Sequence, residues 1–332
     1  MNQTSPSASH PYVNIAYYKF VQIENPSALR ETLLKFCNNL HIKGTIILAH
    51  EGINSCLVGS DNAIQKYIDY MHADPRFSDV EFKKSYSDHI PFRRMIIKVK
   101  KEIIPMGMDS IKPAHFTGKY VDSLELKKWL DSGEELVILD TRNDYEVDLG
   151  TFRGAIDPRL KQFREFPQWI KDNFSQHKNK KVVTFCTGGI RCEKATAFMR
   201  QEGFEEVYQL QGGILKYFEE TANKTPNEDN YYDGDCFVFD YRVAVDKKLN
   251  ETKYEICYGC WSPLKPEDLS SDKFKKDLYC PHCHDKYFAR EAKRSEIMRK
   301  NNMQALLVRQ ERAKEVRSKW EKENNCQNNN NL

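Results

Sequence analysis

No stretch of 18 consecutive apolar residues occurs in the 332-residue chain, which excludes a helix that spans a bilayer. The first ten residues are polar and lack the positive start and apolar run of a secretory signal, so the chain is expected in the cytoplasm with residues 1–10 as a disordered leader. There is no internal repeat, no Gly-x-Gly-x-x-Gly dinucleotide fingerprint, no flavin or haem motif and no convincing triad of iron ligands. The net charge of +3 excludes little by itself. With 40% hydrophobic and 30% charged residues, the composition is that of a globular protein of two or three domains. What the chain does have is ten cysteines. In a reducing compartment, cysteines at close regular spacing are metal ligands or catalytic thiols more often than disulfides.

Residues 11–105 alternate strand-like and helix-like stretches. Val13–Val21 reads as a strand, Pro26–Asn39 as a helix opened by proline, and Gly44–Val58 as one long or two paired strands. Asp61–Met71 reads as a helix capped by Asp61, and Val80–Ser85 and Arg94–Lys101 as strands. This β-α-β-β-α-β order predicts a ferredoxin-like α+β sandwich. In the last strand Met95, Ile97 and Val99 share one face, while Arg94, Lys98 and Lys100 lie on the other, either solvated or facing RNA.

Residues 106–120, with Gly107, Pro113 and Gly118, read as a linker. Residues 121–222 read as an α/β domain with a parallel sheet. Leu124–Leu130 is its first helix, Leu136–Leu139 a buried strand ending at Asp140, and Lys181–Phe185 a second strand delivering the chain to Cys186. Arg191–Gln201 is a helix ended by Gly203, and Val207–Leu210 a third strand. Ligands of such sheets bind at the strand C-termini, where Cys186 stands.

The segment Cys186-Thr187-Gly188-Gly189-Ile190-Arg191-Cys192 concentrates the chemistry. Two glycines allow the backbone of Thr187, Gly188, Gly189 and Ile190 to curl its N–H groups into an anion-binding nest. The following helix N-terminus and Arg191 add positive charge. A thiolate held there has a lowered pKa and is nucleophilic at neutral pH, which makes Cys186 the candidate nucleophile. Cys192 either resolves an oxidised or persulfidated Cys186 or packs beneath the helix.

This loop resembles the rhodanese active-site loop, and Asp140-Thr141-Arg142, Tyr145-Glu146 and Gly150-Thr151-Phe152-Arg153-Gly154-Ala155-Ile156 resemble other rhodanese boxes. Asp140, Arg142 and Glu146 read as structural ion-pair residues. Related dual-specificity phosphatases carry Cys-x5-Arg; here four residues separate Cys186 from Arg191, a smaller ring better suited to sulfur chemistry. The run from Cys186 to Ala195, with Tyr208-Gln209-Leu210 and Gly212-Gly213-Ile214-Leu215-Lys216-Tyr217, is similar to the bacterial tRNA uridine hydroxylase family. So are Glu51-Gly52-Ile53-Asn54 and Lys98-Val99-Lys100-Lys101-Glu102-Ile103, although Ser55-Cys56 stands where Gly-Thr is expected. The resemblance runs from about residue 12 to residue 285. It implies a ferredoxin-like domain, a rhodanese domain and a cysteine-bearing C-terminal part. It also implies oxygen-dependent conversion of the tRNA wobble uridine to 5-hydroxyuridine, with Cys186 as the persulfide-type nucleophile.

Cys257, Cys260, Cys280 and Cys283 form two Cys-x2-Cys knuckles. This spacing predicts a tetrahedral Zn²⁺ site that is structural, because four thiolates leave no open position. Residues 223–323 are accordingly read as a zinc-binding and basic helical region. Residues 285–323 carry twelve Lys or Arg against seven Asp or Glu. They predict a helix on which Arg294 and Arg299 contact RNA phosphates. The asparagine-rich residues 324–332 read as a disordered tail.

The sequence thus predicts a tRNA-modifying enzyme with no role for membrane or DNA. A sulfurtransferase carrying sulfane sulfur on Cys186 and a non-enzymatic RNA-binding adaptor stand as alternatives.

Overall fold

In the computed structural model, residues 11–224, 230–260 and 262–298 are described, together with residues 300, 303, 304, 307 and 311. The expected leader and tail, Arg299 and most of the basic segment after it lie outside the described residues. The chain divides into two units, one ending at Ile256 and one beginning at Cys257.

The first unit opens with strand β1 (Tyr12–Phe20), helix α1 (Pro26–Asn39), the hairpin of β2 (Lys43–Ala49) and β3 (Gly52–Ser60), helix α2 (Asp61–His72), β4 (Lys83–Ser87) and β5 (Met95–Val99). The ambiguous stretch is therefore two strands. The sheet order is β4-β1-β3-β2-β5, with β1, β3 and β4 antiparallel and β5 added parallel to β2. The first four strands have the ferredoxin-like arrangement.

Period-two alternation decides which face is covered. Val13, Ile15 and Tyr17 pack with Leu33, Ile64 and Tyr67 of the helices. Asn14, Ala16 and Tyr18 therefore occupy the opposite face, together with their cross-strand partners Ser85, Lys83 and Cys56. The α2 cap is Ser60 rather than Asp61. The Ser60 hydroxyl receives Ala63 N–H at 3.3 Å, and Asp61 falls in the first turn, where a carboxylate also suits the helix dipole.

Next come β6 (Lys119–Val121), α3 (Ser123–Asp131), β7 (Val137–Asp140), α4 (Asp144–Val147), β8 (Gly150–Phe152), α5 (Phe166–Asn173), β9 (Lys181–Phe185), α6 (Ile190–Gln201), β10 (Glu206–Leu210) and α7 (Gly213–Lys224). The strands β6-β10-β9-β7 form a fully parallel sheet. Asp140 and Cys186 follow one another across it, at the C-terminal ends of β7 and just beyond β9. The stretch 106–120 does more than connect: Met106 and Ile111 are buried against the core containing Phe166 and Phe198. Residues 230–256 also pack on this unit, with Tyr232–Gly234 pairing antiparallel to β8 and Tyr232 fully buried.

The second unit holds the four knuckle cysteines, which share a small core with Leu264, and a helical stretch at residues 284–298. Among the described residues, no helix is long and apolar enough to cross a membrane.

Candidate active site and metal centre

Strand β9 is buried on both faces from Val182 to its end at Phe185 and delivers the chain to a buried Cys186. The chain then turns through Gly188 and Gly189 into α6. Gly189 has φ +100°, a left-handed value that disfavours any side chain, and a Cβ there would meet Tyr18 Oη at 2.9 Å. This conformation lets Gly189 N–H donate to Cys186 Sγ at 3.1 Å. Burial pushes the Cys186 thiol up. The Cys192 thiol, the charge of Arg191 and the backbone N–H groups of Arg191 and Gly189 outweigh burial and bring it down to about 5. Cys192 moves the other way: burial, the hydrogen bond to Cys186 and that neighbour's charge hold it protonated. One thiolate thus accepts from one thiol.

Arg191 is placed differently from the simplest expectation. Its guanidinium makes a bidentate pair with fully buried Glu146, Nη1–Oε2 2.6 Å and Nη2–Oε1 2.7 Å. Thr187 Oγ1 and Asn143 N–H also donate to Glu146, each at 3.1 Å. Burial raises the Glu146 carboxyl, but Arg191, with the charge of Arg142 and the Asn143 N–H, holds it below the usual range. Arg191 therefore acts on Cys186 through its field and its backbone N–H, while both terminal nitrogens of its side chain pair with Glu146 of α4. Removing one partner leaves a buried unpaired charge, so Glu146→Gln is expected to cost roughly 3–5 kcal/mol. Chemical denaturation checks this.

Asp140 and Arg142 form the second buried pair, at 2.7 Å with neither side chain exposed. Arg142 also donates to Gly150 O at 2.6 Å, and Thr151 Oγ1 donates to Asp140 at 2.9 Å, which fastens the end of β7 to β8.

A cavity of about 560 Å³ lies between the uncovered face of the N-terminal sheet and the Cys186 loop. Its size falls within the roughly 300–1,000 Å³ of ordinary ligand pockets. Cys186, Thr187, Tyr18, Lys83, Arg242 and Phe239 are on its wall. Phe239 is 53% exposed, unusual for an aromatic residue lining a site. Asn14, also on this wall, donates to Ser87 Oγ at 2.9 Å. Arg242 pairs with Asp240 at 2.6 Å and donates to Ser85 Oγ at 2.8 Å.

The N-terminal domain is keyed to the helix after the loop. Fully buried Lys194 bridges Glu51 at 2.9 Å and Glu102 at 2.7 Å, and donates to Ile104 O at 3.1 Å. Tyr18 donates to Glu193 at 2.9 Å, as do Tyr120 at 2.8 Å and Gln209 at 3.1 Å. Reading the sequence missed Lys83, Tyr18, Arg242 and Phe239. None belongs to a motif, and only tertiary packing brings them to Cys186.

Of the basic residues picked for RNA contact, Arg94, Lys98 and Lys100 are exposed. Lys98 pairs in register with Ile47, a cavity residue, so it stands on the uncovered face of the sheet. Val99 is 40% exposed, so the apolar face of β5 ends at Ile97. Arg294 is exposed on the second unit's helix, 3.9 Å from Glu291.

The sulfurs of Cys257, Cys260, Cys280 and Cys283 lie within 4.8 Å of one another. Three of the separations are 3.8 Å (Cys257–Cys283), 3.7 Å (Cys260–Cys280) and 3.9 Å (Cys280–Cys283). A tetrahedral ion with metal–sulfur bonds of about 2.3 Å spaces its sulfurs about 3.8 Å apart, whereas a disulfide requires about 2.05 Å. The residues fit a four-thiolate metal site. His282 and His284 turn to Asp268 and Asp285 instead.

Residues 12–103 match the UPF0176 acylphosphatase like domain and residues 122–220 the rhodanese-like domain. Among solved structures, a rhodanese-like domain from Anabaena sp. is 22% identical over 36% of this chain and 80% of its own, with a TM-score of 0.28. A rhodanese-like domain protein from Staphylococcus aureus is 26% identical over 30% and 90%, with a TM-score of 0.25. Three curated relatives carry the name tRNA uridine(34) hydroxylase. That of Teredinibacter turnerae is 48% identical over 82% of this chain and 84% of its own. That of Rhizobium leguminosarum bv. trifolii is 46% identical over 83% and 87%, and that of Agrobacterium fabrum 44% over 84% and 88%. Identity at this level across both domains places the chain in the tRNA uridine(34) hydroxylase family.

Proposed function

We propose that this protein hydroxylates C5 of the wobble uridine of tRNA in the cytoplasm, with Cys186 as its nucleophile. The observation that carries the reading is 44–48% identity to hydroxylases so named over more than four-fifths of the chain. The chemistry of the site agrees with it. Uracil C5 resists oxidation until a nucleophile adds at C6 and makes C5 enolate-like. A buried thiolate on the wall of a cavity roomy enough for a nucleotide suits that addition, and an anticodon loop can present a single unstacked base to it. Exposed Phe239 offers a stacking surface at the same cavity.

Insertion of oxygen into C5–H is a two-electron oxidation; we take molecular oxygen as the source of the atom, its second atom leaving as water with two electrons and two protons from a cellular reductant. Deletion of the gene is expected to remove 5-hydroxyuridine and its derivatives from total tRNA, and plasmid-borne protein to restore them, read by nucleoside mass spectrometry. Labelled hydroxyl from ¹⁸O₂ is the outcome that supports oxygen dependence; label from water excludes it.

A persulfide on Cys186 is the second reading, favoured by the N–H groups aimed at its sulfur. Rapid cyanide-dependent turnover of thiosulfate, with unchanged tRNA nucleosides in the deletion strain, would establish it instead.

We assign Zn²⁺ to the four-cysteine site as a structural ion. Arg94, Lys98 and Lys100, with Arg294 and Arg299, are proposed to hold tRNA phosphates. Each lost phosphate contact lowers the slope of log Kd against log salt by roughly 0.7–0.9. Lys98→Ala is therefore expected to weaken binding and flatten this slope by roughly that amount in a filter-binding titration.

A further inference from the structure

Lys83 stands against the Cys186 loop from strand β4. Its ammonium donates to Gly188 O at 2.5 Å and lies 5.5 Å over the Tyr18 ring. A Cβ built on Gly188 would meet Lys83 Nζ at 3.7 Å. That is ordinary van der Waals contact, so Lys83 packs directly on the loop, and Lys83 and Cys186 line one cavity. An ammonium carries three N–H donors. Gly188 O takes one, and among the described residues no carboxylate lies within ion-pair distance of Lys83. Glu81, the carboxylate whose charge acts on it, is itself paired with Lys216 at 3.3 Å. Arg191, the cation that the loop motif advertises, has both terminal nitrogens paired with Glu146.

We propose that Lys83 is a catalytic residue contributed by the N-terminal domain, donating to uracil O4 and holding the negative charge that develops there when Cys186 adds to C6. The inference rests on the thiolate-addition reading above. In that step the Sγ–C6 bond forms, the C5–C6 π pair moves to C5–C4 and the C4–O4 π pair moves onto oxygen. No electrons enter or leave; the charge that was on sulfur is now on O4, where Lys83 holds it by a hydrogen bond or transfers its proton. A cation facing both the sulfur and the oxygen provides the preorganised field this shift requires. Burial and Lys216 lower the Lys83 ammonium, against Cys186, Glu81 and Cys56, which raise it. The balance falls at about 8, close to neutrality and favourable for proton donation.

The test isolates the addition from the oxidation. tRNA carrying [5-³H]uridine at the wobble position is incubated with enzyme in the absence of oxygen, and tritium release reports reversible formation of the C5 carbanion. Wild type is expected to release tritium, Cys186→Ser to release none, and Lys83→Met to release it about 100-fold more slowly, the loss typical of one oxyanion donor. Lys83→Arg should recover part of the rate, and filter binding of tRNA to Lys83→Met should stay near wild type, which a merely structural role would not produce. Should Lys83→Met not fold, Lys83→Gln reads the same step. Exchange by the folded variant within about threefold of wild type overturns the assignment. Aerobic hydroxylation by wild type with no anaerobic exchange overturns both the addition and Lys83's part in it, yet leaves the hydroxylase reading standing. Wild type that neither exchanges nor hydroxylates overturns that reading as well.

Discussion

Cys186→Ser is expected to lower tRNA hydroxylation by at least about 1,000-fold while the melting curve barely moves. Serine replaces the sulfur nearly isosterically in a fully buried position, so the loop keeps its shape. What is lost is ionisation, because a hydroxyl stays protonated where this thiol does not. The sign of the pH dependence follows from the shift. A free cysteine ionises near 8.5, whereas Cys186 sits at about 5. Its reaction with iodoacetamide should therefore be at full rate at pH 7 and fall only as the pH drops through about 5. A rate that titrates near 8.5 would remove the anion nest from the argument. Cys192, held protonated by burial and by the neighbouring thiolate, should resist alkylation in the same experiment. Cys192→Ser tests its second role: slower steady-state turnover with an unchanged first turnover marks a resolving thiol, and no change in either marks a packing residue.

Replacing Cys257 and Cys260 by serine is expected to abolish metal binding and unfold the cysteine module. Structural zinc sites of this kind contribute on the order of 10–16 kcal/mol of apparent binding energy at neutral pH, and their small cores do not stand without it. That core here is the four cysteines with Leu264 and a few half-buried neighbours. Metal analysis should find one zinc per wild-type chain and none in the double variant, with weaker tRNA binding but little change in Cys186 alkylation. Zinc-free purified wild type that retains its full heat signature would refute the metal assignment.

Much of this protein is legible from residue order because the determinants are local. Val13, Ile15 and Tyr17 alternate with Asn14, Ala16 and Tyr18, and that period alone sets the buried face of β1. Cys186 announces itself by the glycines that follow, since only such a turn points successive N–H groups at one sulfur. The knuckles at Cys257–Cys260 and Cys280–Cys283 are equally local, and two short chelating turns need only meet. Family resemblance extended this to motifs whose purpose the residues did not explain. Glu51, Glu102 and Lys194 are separated by 51 and 92 positions, and a chain read in order gives no reason to connect them. In the fold they converge on one buried ammonium, because desolvating Lys194 requires opposite charge from both sides.

The destination of Arg191 was equally hidden, since whether a guanidinium serves a ligand or a carboxylate depends on where α4 places Glu146. Local sequence was enough to single out Cys186 as the candidate nucleophile and the four cysteines whose sulfurs the fold gathers. The cavity beside that sulfur, with the Lys83 ammonium on its wall, exists only because the uncovered face of one sheet is laid over the strand ends of another. Such long-range contacts are set by the packing of whole surfaces, which no window of neighbouring residues encodes.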